Sequence, residues 1–239
     1  MTLPAPPSDP ESDPKSDPTP GTAGSTQTAG AAPTNPVVRY RIVRLQVQTE
    51  PLKVGQAPLR RYDPSPIESV PRIEVAPAGV IGLRRGRPGS PVDHFGSIID
   101  VHHVDHERTR DRKGIGGVTI MGTGDYDALR ARYGDHLTEG IAGETILVDA
   151  PDGLARLEMP PAATVITADG PIVLTNVRVA DPCVEFARFC LRQGPSPVVD
   201  DAVRQALADL GGGARGYRAV ADRTGVIAVG DDLLTGSAD

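Results

Sequence analysis

Alternating apolar and polar positions predict β-strands along much of the chain. In residues 37–48 the apolar side chains occupy one parity up to Ile42 and the opposite parity afterwards. A slip of one residue is typical of a β-bulge within a strand. Residues 67–83 have the pattern of short strands interrupted by Pro71 and Pro77. These stretches are therefore predicted to be β-structure.

Turn-forming residues predict two hairpins and one loop. Residues 164–179 contain two apolar runs joined at Asp169-Gly170, which favours a hairpin with Gly170 in its turn. Residues 217–233 predict a closing hairpin with Gly225 in its turn. By contrast, residues 80–95 become basic and rich in glycine and proline, which is typical of a loop.

The predicted helices are few and short. Residues 125–133 carry a helical stripe, with Asp125 as the predicted N-cap. Residues 197–210 carry a second stripe, with Ser196 as the predicted N-cap. Short helices between many turn-separated strands indicate a mainly β fold that resembles a β-barrel with peripheral helices.

Composition separates the first 36 of the 239 residues from the rest. Residues 1–36 are rich in proline, serine and aspartate and lack aromatic side chains, so we expect a disordered tail before a single domain at residues 37–239. The tail has neither the basic start nor the apolar run of a secretory signal. Two cysteines without such a signal favour a reducing, cytoplasmic setting.

Charge and hydropathy argue against two classes of partner. The net charge is −6, whereas general nucleic-acid binding needs cationic surface to neutralise phosphates. No run approaches the roughly 18 apolar residues of a membrane helix. We therefore expect neither a nucleic-acid nor a membrane partner.

The two cysteines lie on one predicted helix that begins at Asp181-Pro182, a capping carboxylate followed by proline. Seven helical residues separate Cys183 and Cys190 by about 10 Å, whereas a disulfide needs roughly 4.4–6.8 Å between Cα atoms. A bridge is therefore not expected. Cys183 would lie in the first turn, where the helix dipole stabilises a thiolate, so it is the candidate nucleophile. Alternatively, both cysteines are small core residues.

Three ordered stretches resemble the MOSC domain, a family named for the C-terminal domain of molybdenum cofactor sulfurases. The stretch GIAGETILVD at 140–149 is similar to the family's Gly-x-x-Gly-Glu turn and strand. LTNVRVADPCVEF at 174–186 is similar to its strand leading into Pro-Cys. GYRAVADRTGVIAVGDDL at 216–233 is similar to its closing hairpin. The resemblance covers roughly residues 40–235.

The resemblance implies a mainly β, barrel-like fold, related to the β-barrel of pyruvate kinase, with a cleft for a molybdopterin-type cofactor. It implies that Cys183 carries sulfur as a persulfide or ligates molybdenum, tasks that suit a soft thiolate. The Gly143-Glu144-Thr145 turn would face this cofactor, Asp181 would tune the thiol, and Asp231 would serve the last turn.

At the level of function, the resemblance implies a molybdenum-dependent oxidoreductase or a sulfurtransferase-like protein. Its partners would be the small-molecule cofactor and a reductase or sulfur-donor protein. The family is also associated with pyridoxal phosphate binding. The alternative is a non-catalytic module that binds a cofactor or a partner on the same scaffold.

Residues 84–113 are basic and contain four of the five histidines. One interpretation is an anion-binding wall for the cofactor phosphate, formed by Arg108, Arg110, Arg112 and Lys113. Another is a solvated loop of alternating charges.

The histidines in this segment leave two further possibilities. The run VHHVDH partly matches the metal motif of metallo-β-lactamase-like hydrolases, but Val101 replaces its first histidine. A lone zinc or iron site using His102, His103, Asp105 or His106 also remains possible.

Overall fold

A computed structural model describes residues 37–85, 94–114, 117–155, 157 and 159–236, which belong to one unit, Thr34–Asp239. The predicted disordered tail at 1–36 lies outside the described residues. The strands are β1 Val38–Gln48, β2 Lys53–Val54, β3 Arg61–Tyr62, β4 Ile67–Val70, β5 Arg72–Ala76, β6 Gly79–Arg85, β7 His94–Ile99, β8 Val118–Gly122, β9 Ile146–Val148, β10 Ala162–Thr167, β11 Gly170–Val179, β12 Tyr217–Ala221, β13 Gly225–Ala228 and β14 Asp232–Thr235. The helices are α1 Thr123–Tyr133, α2 Val184–Cys190 and α3 Asp201–Asp209.

Seven strands form a closed barrel, which confirms the predicted fold class. Around the barrel the order is β14, β10, β11, β12, β8, β9 and β1, and β1 pairs again with β14. Neighbouring strands are antiparallel except β8 and β9, which are parallel. Strand β4 pairs with the second half of β1. The three helices lie outside this closed sheet.

The bulge predicted in the first strand is present. The pairing of β1 with β9 shifts register between Ile42 and Arg44. Val43, at the shift, is 40% exposed, whereas Ile42 and Leu45 on either side are buried. The bulge therefore returns the apolar side chains to the barrel interior after the one-residue slip.

A second sheet has the order β13-β5-β6-β7. Strands β4, β5 and β6 confirm the predicted strands separated by Pro71 and Pro77. The loop predicted at 80–95 is partly wrong, because β6 extends through Arg85 and β7 begins at His94. Residues 86–93 of that prediction lie outside the described part of the chain.

The closing hairpin predicted at 217–233 is wrong, because β12 and β13 belong to different sheets. Strand β12 pairs with β8 and β11 in the barrel, whereas β13 pairs with β5. The register places Ile227 opposite Ile73, and both side chains are fully buried. Burial of this apolar pair favours the second sheet over a local hairpin. In contrast, the hairpin between β10 and β11 is confirmed.

The helices begin at residues other than those predicted. Helix α1 has Gly122 as its N-cap, and Asp125 lies inside the first turn. Helix α3 has Asp200 as its N-cap, and its carboxylate accepts a hydrogen bond from Val203 N at 2.8 Å. Ser196 instead accepts from Val198 N in the preceding loop. Asp200 is the N-cap because it directly precedes the first helical residue, Asp201. Its carboxylate therefore reaches the free N–H of Val203 in the first turn.

Two apolar clusters stabilise the fold. The first fills the barrel and extends to the second sheet, with Ile42, Ile120 and Leu233 among its buried members. The second lies between the outer barrel wall and the helices, and includes Tyr126 of α1 and Phe186 and Cys190 of α2. Within the described ranges, no helix has the length and apolar character needed to cross a membrane.

Candidate functional site

The glycine turn before β9 packs against the outer face of β1. Gln46 Nε2 donates to Gly140 O at 2.7 Å, and Gln48 Nε2 donates to Gly143 O at 2.6 Å. Both glycines have positive φ, +90° and +80°. A Cβ on Gly140 would collide with Gln46, and a Cβ on Gly143 would lie 2.7 Å from Leu52 Cδ1. The Gly-x-x-Gly spacing therefore fits a turn pressed onto two glutamines.

Glu144 follows this turn and is buried in the second apolar cluster. The Tyr126 hydroxyl donates to its Oε2 at 2.6 Å and accepts from Ala142 N at 3.0 Å. Its Oε1 is buried and has no hydrogen-bond partner among the described residues. Burial raises the pKa of Glu144 to about 7, against the opposing effects of Tyr126 and of the Arg215 and Arg44 charges. Glu144 is thus a buried carboxyl group that takes up and releases its proton near neutral pH.

Thr145 joins two neighbouring strands. Its N–H donates to Thr119 Oγ1 at 2.9 Å, and the two hydroxyls lie 3.2 Å apart. Thr145 is 4% exposed. These contacts give it a structural role between β8 and β9. Gly143 O likewise accepts from Gln48, a residue that lines a nearby cleft, so the turn helps to hold that lining in place.

The two thiols differ in their surroundings. Both are free; Cys190 is buried, whereas Cys183 is half-buried. Burial raises the pKa of Cys190 to about 12, so its thiol is an apolar core group. Cys183 is the N-cap of α2 rather than a member of its first turn, and its backbone is extended (φ −130°). The predicted helix start at Asp181-Pro182 is therefore wrong, because the chain stays extended through the proline.

Residues on both sides of Cys183 interact with basic side chains that line a surface cleft, which we call the cationic cleft. Glu185 Oε2 lies 3.6 Å from Lys53 Nζ, and Glu185 Oε1 lies 3.5 Å from Arg60 Nε. Asp181 lies near Arg218 and opposes the effects that lower the pKa of that arginine. Lys53 and Arg218 both line the cleft. Cys183 itself is absent from the described lining and packs against the second apolar cluster, so its connection to the cleft runs through these two neighbours.

The cationic cleft has a volume of about 400 Å³. Five basic side chains and one carboxylate line it, together with His102 and apolar groups. The basic lining residues are Lys53, Arg108, Arg110, Arg178 and Arg218. A cavity of this size is within the range of small-molecule sites, and its charge is suited to an anion.

The structure brings only half of the predicted anion wall to this cleft. Arg108 and Arg110 line it, and Arg108 Nη1 lies 2.5 Å from Glu50 Oε2. Arg112 and Lys113 are exposed and lie outside its described lining. Sequence reasoning missed the other cations, because they come from strands far apart in the chain.

His102 and His106 of the basic segment make separate contacts. His102 Nδ1 lies 2.9 Å from the buried Asp100 carboxylate, which also accepts from Gln48 N at 2.7 Å. His106 Nε2 lies 3.2 Å from Thr49 O. The described side chains contain no group of three His, Cys, Asp or Glu residues placed to hold a metal ion. The candidate zinc or iron set therefore does not converge.

Arg215 is a residue that sequence reasoning missed. Its guanidinium lies 4.6 Å from the Phe186 ring centroid. Its charge acts on the buried Glu144 carboxyl, lowering that pKa against the effect of burial, and also on Arg218 in the cleft. The Arg215 charge therefore acts both on a residue of the cleft and on the buried Glu144. Its position between three glycines and Gly216 was the only available signal, and glycines alone indicate turns.

Asp231 has the structural role predicted for it. Its Oδ2 accepts from Ala228 N at 2.8 Å in the turn between β13 and β14.

Comparisons with known proteins support the fold and leave the family unassigned. No protein-family model matches the chain. No curated protein matches it either. The crystal structure of the YUAD protein from Bacillus subtilis is similar to this chain, with a TM-score of 0.50 and 14% identity over 85% of this chain and 99% of that one.

A second solved structure is described only as a hypothetical protein. Its TM-score is 0.47 at 9% identity, over 84% of this chain and 70% of that one. At this similarity the comparisons with YUAD show a shared mainly β fold with a barrel.

Proposed function

We propose that this protein is a MOSC-like sulfur carrier that binds an anionic, molybdopterin-type cofactor beside Cys183. One observation carries the proposal: Cys183 lies between Asp181 and Glu185, which both interact with basic side chains of the cationic cleft. A half-buried thiol whose neighbours in the chain interact with a cationic cleft would combine a soft sulfur ligand with recognition of an anion.

The residues present fit such a cofactor. The cleft has the volume of a small-molecule site and an excess of positive charge, which suits a phosphorylated pterin. Arg108 and Arg110 would hold the anionic end, and Cys183 would supply the thiolate that carries sulfur or ligates molybdenum. When bound, the group would supply redox chemistry at molybdenum. The protein itself would bind and orient the cofactor and would keep Cys183 accessible.

Sulfur loading is a balanced exchange at Cys183. The thiolate attacks the terminal sulfur of a donor persulfide, a new S–S bond forms, and the donor's S–S bond breaks with the electron pair on the donor thiolate. Cys190 is poorly suited to this reaction, because burial keeps it protonated. A sulfur-donor protein or a reductase would be the partner in a reducing, cytoplasmic setting.

The test is to express the protein in a host that makes molybdenum cofactor, then measure bound molybdenum, oxidised pterin fluorescence and cyanide-releasable sulfur. Cys183→Ala should lose the releasable sulfur, and Cys190→Ala should retain it. A wild-type protein with none of these signals would overturn the proposal. Binding of an anion without sulfur or molybdenum would instead support the alternative, a non-catalytic module.

A further inference from the structure

Two arginines face each other across the strands at the cationic cleft. Arg178 of β11 is directly paired with Arg218 of β12. The pairing shifts register between Thr175 and Arg178, and Asn176 in this bulge has φ +54°. A bulge redirects the side chains that follow it. Like charges directly opposite on neighbouring strands repel each other, and Asp111 and Asp181 act on Arg218 in the opposite sense.

The lining of the cleft is predominantly cationic. Lys53 and Arg108 are paired with acids, Glu185 and Glu50. The other guanidiniums in or beside the cleft are Arg110, Arg178, Arg215 and Arg218. The carboxylates beside them are Asp111 and Asp181, and Asp111, Arg178 and Arg218 all interact within the protein. Within the described lining of the cleft, five basic side chains stand against one carboxylate, Asp111.

The pKa of Arg218 agrees with this excess. Burial lowers the pKa, and the neighbouring Arg178 and Arg215 charges lower it further. Asp111 and Asp181 act in the opposite direction without reversing the change. The charged form of Arg218 is thus held at an electrostatic cost that a bound dianion would remove.

We infer that Arg178 and Arg218 form a subsite for a tetrahedral dianion, either a phosphate monoester or a free oxyanion such as sulfate. Guanidinium forks match the oxygen spacing of such groups and bind them with two parallel hydrogen bonds. The subsite deepens the proposed function and rests on it for the anionic ligand of the cleft, but it does not require Cys183 to carry sulfur. It also adds two residues to the part of the cleft that sequence reasoning assigned to anion binding.

Phosphorus NMR tests this subsite directly. The linewidth of inorganic phosphate is measured against protein concentration, with sodium chloride holding the ionic strength constant. Arg178→Gln and Arg218→Gln should each weaken binding about 10- to 100-fold, the loss expected for hydrogen bonds to a charged group. Arg112→Gln is the matched control, since Arg112 is exposed and lies outside the described lining. It should bind phosphate like the wild type.

Two further variants keep the result interpretable. Arg218→Lys preserves the charge but not the fork, so its affinity should fall between wild type and Arg218→Gln. Cys183→Ala should bind phosphate normally, and this result separates the subsite from the sulfur proposal. Wild-type affinity in both Gln variants, or an equal loss in Arg112→Gln, would overturn the inference, because attraction would then be diffuse.

Competition experiments distinguish the sources of the dianion. Sulfate and glycerol phosphate are each titrated against bound phosphate. Displacement by both supports a subsite open to phosphate monoesters. Displacement by sulfate alone supports a site for a free oxyanion.

Discussion

The buried Glu144 carboxyl should make the stability of this protein fall as pH rises through the neutral range. Burial raises its pKa from 4.5 to about 7 in the folded chain. Between these values the folded protein keeps the proton and the unfolded chain releases it. The unfolded state therefore binds fewer protons, and the free energy of unfolding decreases with increasing pH.

The expected size follows from the two pKa values. At about 1.4 kcal/mol per pKa unit, the change from 4.5 to about 7 lowers the free energy of unfolding by about 3 kcal/mol over this range. The stabilising contribution of the protonated carboxyl is fully present below pH 4.5 and is lost by about pH 7. The loss accompanies ionisation in an apolar cluster where Oε1 has no described partner.

Glu144→Gln isolates this contribution from other titrating groups. The amide oxygen can still accept from Tyr126, but the buried NH₂ would lack a partner, which costs about 1–3 kcal/mol at every pH. Urea unfolding of both proteins should therefore show a variant that is less stable at acidic pH and that closes the gap by about 3 kcal/mol above neutrality.

A control and a clear refutation are available. Arg215→Gln removes a charge that lowers the pKa of Glu144, so the pH-dependent loss should move to higher pH. If the stability difference between wild type and Glu144→Gln were the same at both ends of the pH range, burial would not be shifting this carboxyl.

Three other predictions concern single side chains. Iodoacetamide should modify Cys183 in the native protein and reach Cys190 only after unfolding, because burial raises the pKa of Cys190 to about 12. Peptide mass mapping measures this order, and labelling of Cys190 in the native protein would contradict it. Gly140→Ala should lower the free energy of unfolding by about 1–3 kcal/mol through its positive φ and its collision with Gln46, whereas the control Gly194→Ala, with no atom within 4 Å, should not. Asp125→Ala should cost about 3 kcal/mol or more in urea unfolding, since its buried carboxylate accepts from Gly122, Leu154 and Ala155 N–H groups; the exposed Asp127→Ala should cost far less.

Local patterns predicted the strands well because they depend on alternation and turn chemistry. The bulge after Ile42, the strand breaks at Pro71 and Pro77, and the turn at Gly170 all follow from neighbouring residues. The helix starts failed for a related reason. Asp125 is a good N-cap by residue type, yet its carboxylate is used to bind Leu154 and Ala155 N–H groups from a distant loop.

The site was harder to predict because distant segments build it. Alternation shows which face a residue occupies but not which strand lies beside it. Lys53, Arg178 and Arg218 are therefore unremarkable in the sequence and meet only in the cleft. The clustered Arg112 and Lys113 looked more convincing, but they lie outside it. The Glu144 turn was found through its resemblance to the MOSC Gly-x-x-Gly-Glu turn, a motif contained within residues 140–144.

The pairing of β1 with β14 affects how the protein reaches its folded state. Arg39 and Asp232, which form an ion pair across this seam, are 193 residues apart in the chain. Long-range pairing of this kind slows folding, because a large loop must close before the contact can stabilise it. During synthesis the seam must wait until β14 has left the ribosome. Until then both strand edges are exposed to other chains, and mutations that weaken β14 should promote aggregation.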